Sequence, residues 1–158
     1  MKKKFIAIIL ARGGSRGIKN KNLYKINKKP LLYWSIKDCI LSKNINETWI
    51  SSDSKKILNF SKKNKINFIK RPSKFATSHS SSESGWLHAI KYLERRKKKF
   101  DYVVAIQATS PIRGNYDVDK AIKIFLKGKY DSLFSSSKIS DHFIWEHNKK
   151  TLKPTFDY

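Results

Sequence analysis

The sequence predicts an α/β protein built on a doubly wound, mostly parallel sheet, and three features carry that prediction. Short apolar runs of strand length alternate with segments of helical period along the chain, as successive βαβ units require. The first run, FIAIILA at residues 5–11, is apolar throughout, the pattern of a strand covered on both faces rather than one with a wet side. Polar stretches then follow the ends of these runs, at residues 12–22, 53, 71 and 107–113, and open parallel sheets bind ligands outside the carboxyl ends of their strands.

The elements follow in order. After a long polar loop, Pro30 stands where a first helical turn tolerates it, and Leu32, Ile36, Cys39 and Ile40 recur at helical spacing. Residues 47–52 form a second strand ending at Asp53, whose residue type favours a cap on the helix predicted over 55–65. Residues 67–70 supply a third, short strand. Ser80, Ser81 and Ser82 precede a helix over 83–96 with Trp86, Leu87, Ile90 and Leu93 as its apolar stripe, and Ser82 is read as its cap. A strand over 102–107, a helix over 117–127 bearing Val118, Ala121, Ile122, Phe125 and Leu126, and a strand over 131–136 complete the pattern.

Composition narrows the function. At 158 residues and 39% hydrophobic, the chain has enough apolar material for one core. The single cysteine, Cys39, excludes an internal disulfide framework and fits a reducing compartment, so the expected location is cytoplasmic. The opening MKKKFIAIILA has an apolar run too short for a membrane span and runs into Arg12 without a small-residue cleavage site, so it reads as a strand and not an export signal. A net charge of +23 would ordinarily point to nucleic acid. Only six of the 35 basic residues are arginine, however, and the lysines are spread along the chain, so neither nucleic acid nor membrane is expected as a partner. His79, His88, His142 and His147 show no metal-ligand spacing.

The loop ARGGSRGIKNKN after the first strand holds the chemistry. Gly13, Gly14 and Gly17 are expected to adopt positive φ and let the backbone approach a ligand, exposing amide donors, while Arg12, Arg16, Lys19 and Lys21 supply charge. The glycine spacing matches neither the P-loop nor the dinucleotide fingerprint. By spacing alone the segment is either a polyphosphate cradle or a flexible basic loop.

As a whole, ILARGGSRGIKNKNL after an opening strand resembles the acylneuraminate cytidylyltransferases, which activate sialic acids and related nine-carbon sugars as CMP derivatives. The resemblance continues through PLLYWSI at 30–36, SSDS at 51–54, KRPSKFA at 70–76, SSS at 80–82 and IQATSPIR at 106–113. It implies a Rossmann-like nucleotidyltransferase fold, of the kind shared with nucleotide-diphospho-sugar transferases, and transfer of CMP from CTP to a nonulosonic acid sugar with release of pyrophosphate. Arg12 and Lys21 match the residues that handle the CTP phosphates, with Gly13, Gly14 and Ser15 lining the same cradle. Asn22 matches the position that recognises cytosine, Arg71 and Ser82 complete the nucleotide pocket, and Gln107 faces the sugar acid.

The resemblance also implies a Mg²⁺ cofactor and a homodimer. It departs at Ser78 and His79, where relatives often carry an acidic residue. Its metal-binding aspartates are expected well past the ATSP motif, so residues 1–137 read as the nucleotide-binding domain and 138–158 as the start of a dimerisation and sugar-binding excursion that would expose Phe143, Trp145 and Phe156. The alternatives are transfer to another acidic sugar, such as legionaminic, pseudaminic or 3-deoxy-manno-octulosonic acid, and a nucleotide-binding module without turnover.

Overall fold

The computed structural model describes residues 3–15, 17–136, 145–148 and 151–154, the last two spans through their backbone. Arg16, His142, Phe143 and Phe156 lie outside the described residues, as do the side chains of Trp145 and His147. In chain order the elements are β1 (Phe5–Leu10), β2 (Lys25–Ile26), β3 (Lys29–Pro30), α1 (Leu31–Leu41), β4 (Ile45–Ser52), α2 (Lys55–Lys63), β5 (Asn67–Lys70), α3 (Ser82–Arg95), β6 (Tyr102–Gln107), α4 (Asp117–Gly128), β7 (Trp145–Asn148) and β8 (Thr151–Pro154). Two 3₁₀ turns, Lys21–Leu23 and Ser73–Phe75, punctuate the loops after β1 and β5.

Four strands form a sheet in the order β5-β4-β1-β6, with every pairing parallel. β1 is flanked on both sides and covered on both faces, which explains its unbroken apolar sequence. Ala7 and Ile9 point to one face, where they pack with Leu32, Ile36 and Cys39 of α1 and Ile57 of α2. Ile6 and Ile8 point to the other, against Ala89 and Leu93 of α3. The chain runs outward from β1 through β4 to β5 with α1 and α2 on one face, then returns through α3 on the opposite face to β6, as right-handed crossovers in opposite directions require. α4 packs Val118 and Ile122 on Phe5 near the start of β1.

Several local expectations change in three dimensions. The stripe of α3 is centred on Gly85, Ala89 and Leu93, which are buried, and Leu87 is 51% exposed. Ser81 caps α3 by accepting the Ser84 amide at 3.2 Å. Ser82 is therefore the first helical residue and not the cap. The expected strand over 131–136 is absent, and Leu133 and Phe134 lie exposed. Among the described residues β6 is an edge strand of the sheet, and Ala105 and Gln107 are exposed although YVVAIQ reads as a buried strand.

The polar loop after β1 also hides a β2–β3 hairpin. Its turn residues Asn27 and Lys28 both have positive φ, at 49° and 63°, the geometry that matches strand twist in two-residue hairpins. Of the segment 138–158, the described part is the antiparallel hairpin β7–β8. Cys39 is a buried free thiol, and burial, the largest influence on it, pushes its pKa up to about 12. Among the described residues, no helix is long and apolar enough to cross a membrane.

Candidate functional site

The carboxyl edge of the sheet assembles the site. Leu10 at the end of β1 is in register with Ser51 on β4 and Gln107 on β6, and Ser52 pairs with Lys70 on β5. The residues that follow these strands therefore stand in a row: Arg71, then Asp53, then Arg12 and Gly13, with Gln107 at the far end. Three strand spacings put roughly 14 Å between the ends of that row, enough for an elongated ligand. The switch in strand order falls between β1 and β6, where doubly wound sheets open a crevice.

The first loop is held by its own backbone and by one carboxylate. The Ala11 amide donates to the Ser51 carbonyl at 3.1 Å, and the Ser15 amide to the Gly13 carbonyl at 3.0 Å. Gly13 donates its amide to Asp53 Oδ1 at 2.9 Å. Asp53 is thus a loop anchor and not the expected cap, since Ser54 occupies the cap position of α2. No described glycine has positive φ, contrary to expectation. Gly13 is small for a different reason: a Cβ there would lie 2.8 Å from Ser54 Cβ. Gly14 and Gly17 face open space, which leaves their backbone accessible to a ligand.

Asn22 is 4% exposed, donates Nδ2 to the Arg12 carbonyl at 2.9 Å and leaves Oδ1 buried without a partner. Arg12 itself reaches across to donate Nη1 to the Thr77 carbonyl at 2.7 Å. Its guanidinium therefore ties the first loop to the loop before α3. Thr77 had no sequence signal, because a backbone carbonyl is common to every residue. Lys21 is half-buried at the start of the 3₁₀ turn.

Arg71 is 5% exposed, and its amide donates to the Ser52 carbonyl at 2.8 Å. Burial lowers its pKa, the Asp53 carboxylate opposes that, and Arg12 adds to it. Arg12, Asp53 and Arg71 thus form one electrostatic group. Ser82 is half-buried on the first turn of α3, while Ser15 is half-buried and Gly14 exposed on the loop. Gln107 is exposed, and its carbonyl accepts Ser35 Oγ at 3.4 Å.

A second anchor steadies the loop after β6, which sequence reasoning passed over. Arg113 Nη1 donates to Ser35 Oγ at 3.2 Å and to Asp38 Oδ2 at 3.3 Å, both on α1. His88 lies against Phe75 with ring centroids 5.2 Å apart and the rings tilted by 36°. Burial depresses its pKa first, and Arg71, Arg95 and Lys74 depress it further.

Two guanidiniums around a single carboxylate, with Lys21 and accessible amides on the same loop, set at a topological switch point, suit a polyanionic phosphate ligand. The parallel sheet with helices on both faces is a Rossmann-like α/β fold. The chain belongs to the cytidylyltransferase family, whose model matches residues 6–155.

Among curated relatives it is similar to N-acylneuraminate cytidylyltransferase A of Danio rerio, with 33% identity over 144 residues, 91% of this chain and 32% of that one. It is also similar to a pseudaminic acid cytidylyltransferase of Campylobacter jejuni, with 29% identity over 85% of this chain and 59% of the relative. The chain thus spans about a third of the first and less than two thirds of the second. Among solved structures, CMP:2-keto-3-deoxy-manno-octonic acid synthetase complexed with CTP superposes with a TM-score of 0.68 at 18% identity, over 80% of this chain and 49% of that one. For 4-diphosphocytidyl-2C-methyl-D-erythritol synthase the TM-score is 0.71 at 13% identity, over 99% and 69%. These likenesses establish the fold.

Proposed function

We propose that this chain forms the nucleotide-binding part of an enzyme that transfers CMP from CTP to a sialic-acid-like nonulosonic acid, releasing pyrophosphate. The observation that carries the reading is the anchored loop after β1, which sets Arg12 near Arg71 at the carboxyl edge of the sheet, with Lys21 and accessible backbone on the same loop. The named relatives act on N-acylneuraminate and pseudaminic acid, which supports an acidic nine-carbon sugar as acceptor.

In this reading the sugar's anomeric hydroxyl attacks the α-phosphate of CTP, the bond to the pyrophosphate oxygen breaks, and the hydroxyl proton passes to solvent or to a base. Such transfers depend on positioning and charge stabilisation more than on a covalent nucleophile. Arg12, Lys21 and Arg71 would hold the triphosphate and offset its developing charge, with the amides around Gly13, Gly14 and Ser15 as further donors. Ser82 would add a hydroxyl from the first turn of α3. The buried, unpartnered Oδ1 of Asn22 is an acceptor that a cytosine amino group would satisfy and a uracil carbonyl would not. Gln107, at the β6 end of the row, would meet the sugar acid.

The residues present are compatible with Mg²⁺, which takes one or two carboxylates together with phosphate oxygens and water. Among the described residues no three His, Cys, Asp or Glu side chains converge; Asp53, beside the first loop, would be one carboxylate able to help hold the ion. When bound, the ion would neutralise phosphate charge. A homodimer working in the cytoplasm completes the reading, and the lone buried thiol of Cys39 supports a reducing compartment.

The test is calorimetric titration with CTP and Mg²⁺, with ATP and duplex DNA as controls, followed by a pyrophosphate-release assay with N-acetylneuraminic acid. CTP-selective binding is expected. Binding to DNA with no preference for CTP would overturn the reading.

A further inference from the structure

Gly85 is the least favourable residue short of proline for its place, the first turns of the 14-residue helix α3. It does not use the backbone freedom that usually explains a glycine, since no described glycine has positive φ. It is buried, and it opens the Gly85–Ala89–Leu93 seam that faces the sheet. A Cβ on Gly85 would lie 2.7 Å from Nη1 of Arg71 and 3.1 Å from Cδ1 of Leu10. The missing side chain is therefore space that the Arg71 guanidinium fills.

What holds that guanidinium bears on what the space is for. Arg71 is 5% exposed, its Nε has no hydrogen-bond partner, and among the described residues it makes no ion pair with a carboxylate. Its backbone is tied to Ser52, but its head group stands in the space left at Gly85 of α3. A methyl group at position 85 would meet the far end of a flexible side chain and not the helix backbone. The helix would persist and Arg71 would give way, with the like charge of Arg12 among its neighbours.

We infer that Gly85 is a positioning residue for the nucleotide site: by leaving room on α3 it sets where the Arg71 guanidinium stands and so how tightly a nucleoside triphosphate is held. This rests on the nucleotide reading proposed above. Helix propensity alone makes the opposite forecast, that alanine at this position would be a simple improvement.

The experiment is a double-mutant cycle of Gly85→Ala and Arg71→Ala in the full chain, read by CTP affinity and by thermal midpoint. Gly85→Ala should weaken CTP binding roughly tenfold to a hundredfold, as loss of a hydrogen bond to a charged group does, with the far-ultraviolet circular dichroism unchanged. In the Arg71→Ala background the same change should leave CTP affinity where it is and raise the midpoint, because the clash is gone and only the helix gain remains. Unchanged CTP affinity in Gly85→Ala, with loss in Arg71→Ala, would overturn the inference. If the unaltered chain fails to bind CTP, the nucleotide reading falls. The midpoints then still decide the pairing, since additive midpoints mean that Gly85 and Arg71 are uncoupled.

Discussion

Asp53 accepts the backbone amide of Gly13 at 2.9 Å, so the loop after the first strand is anchored from the neighbouring strand as well as by its own Arg12 and Asn22 side chains. A carboxylate beside a cationic loop costs attraction for an anionic ligand, yet it holds the amide path in one shape. Asp53→Ala should therefore loosen the loop and weaken CTP binding, and should lower stability by about 1.5–3 kcal/mol, the range for a hydrogen bond to a charged group. Asp53→Asn keeps an acceptor oxygen and should retain most of that stability. Equal losses for the two variants in urea denaturation would show that the charge, and not the hydrogen bond, is what anchors Gly13.

Arg12 has a structural partner in the Thr77 carbonyl at 2.7 Å, whereas the Lys21 side chain makes no hydrogen bond or ion pair among the described residues. Arg12→Ala and Lys21→Ala should both lose CTP binding in calorimetry with circular dichroism intact, and only Arg12→Ala should also lower the unfolding midpoint. Unchanged CTP affinity in both would remove the phosphate role from the loop.

Arg113 joins the loop after β6 to Ser35 and Asp38 on α1, with its side chain 18% exposed. Loss of this half-buried pair in Arg113→Ala should destabilise the fold by about 1–2 kcal/mol. Because Ser35 also donates to the Gln107 carbonyl, the variant should weaken binding of the acidic sugar more than binding of CTP. Equal effects on both ligands in parallel titrations would argue against a specific link to Gln107.

His88 has a folded pKa below its ordinary 6.5, chiefly from burial and then from Arg71, Arg95 and Lys74. The unfolded chain therefore binds this proton more readily than the folded one, so the contribution is complete above pH 6.5 and is lost as pH falls toward the folded pKa. Urea midpoints across pH 5–8 should show acid destabilisation that is smaller in His88→Gln. Identical pH slopes in the two proteins would mean that the His88 ring is not the group responsible.

The sequence by itself determined the strands at Phe5–Leu10, Ile45–Ser52, Asn67–Lys70 and Tyr102–Gln107 to within two residues at either end, most clearly at β1, where burial on two faces leaves an apolar run that a polar loop must bound. It also placed Arg12, Lys21, Arg71 and Gln107 after strand ends, where a parallel sheet puts ligand-facing residues. Only the tertiary structure decided what depends on a partner distant in the chain. The run at 131–136 has strand chemistry but meets no ladder, and Leu87 fits a helical stripe whose buried centre lies instead at Gly85. Asp53 has the chemistry of a cap, yet it bonds an amide 40 residues earlier. Each of those outcomes turns on which surface arrives opposite the residue. Local propensity carries no term for that, and packing against the sheet supplies it.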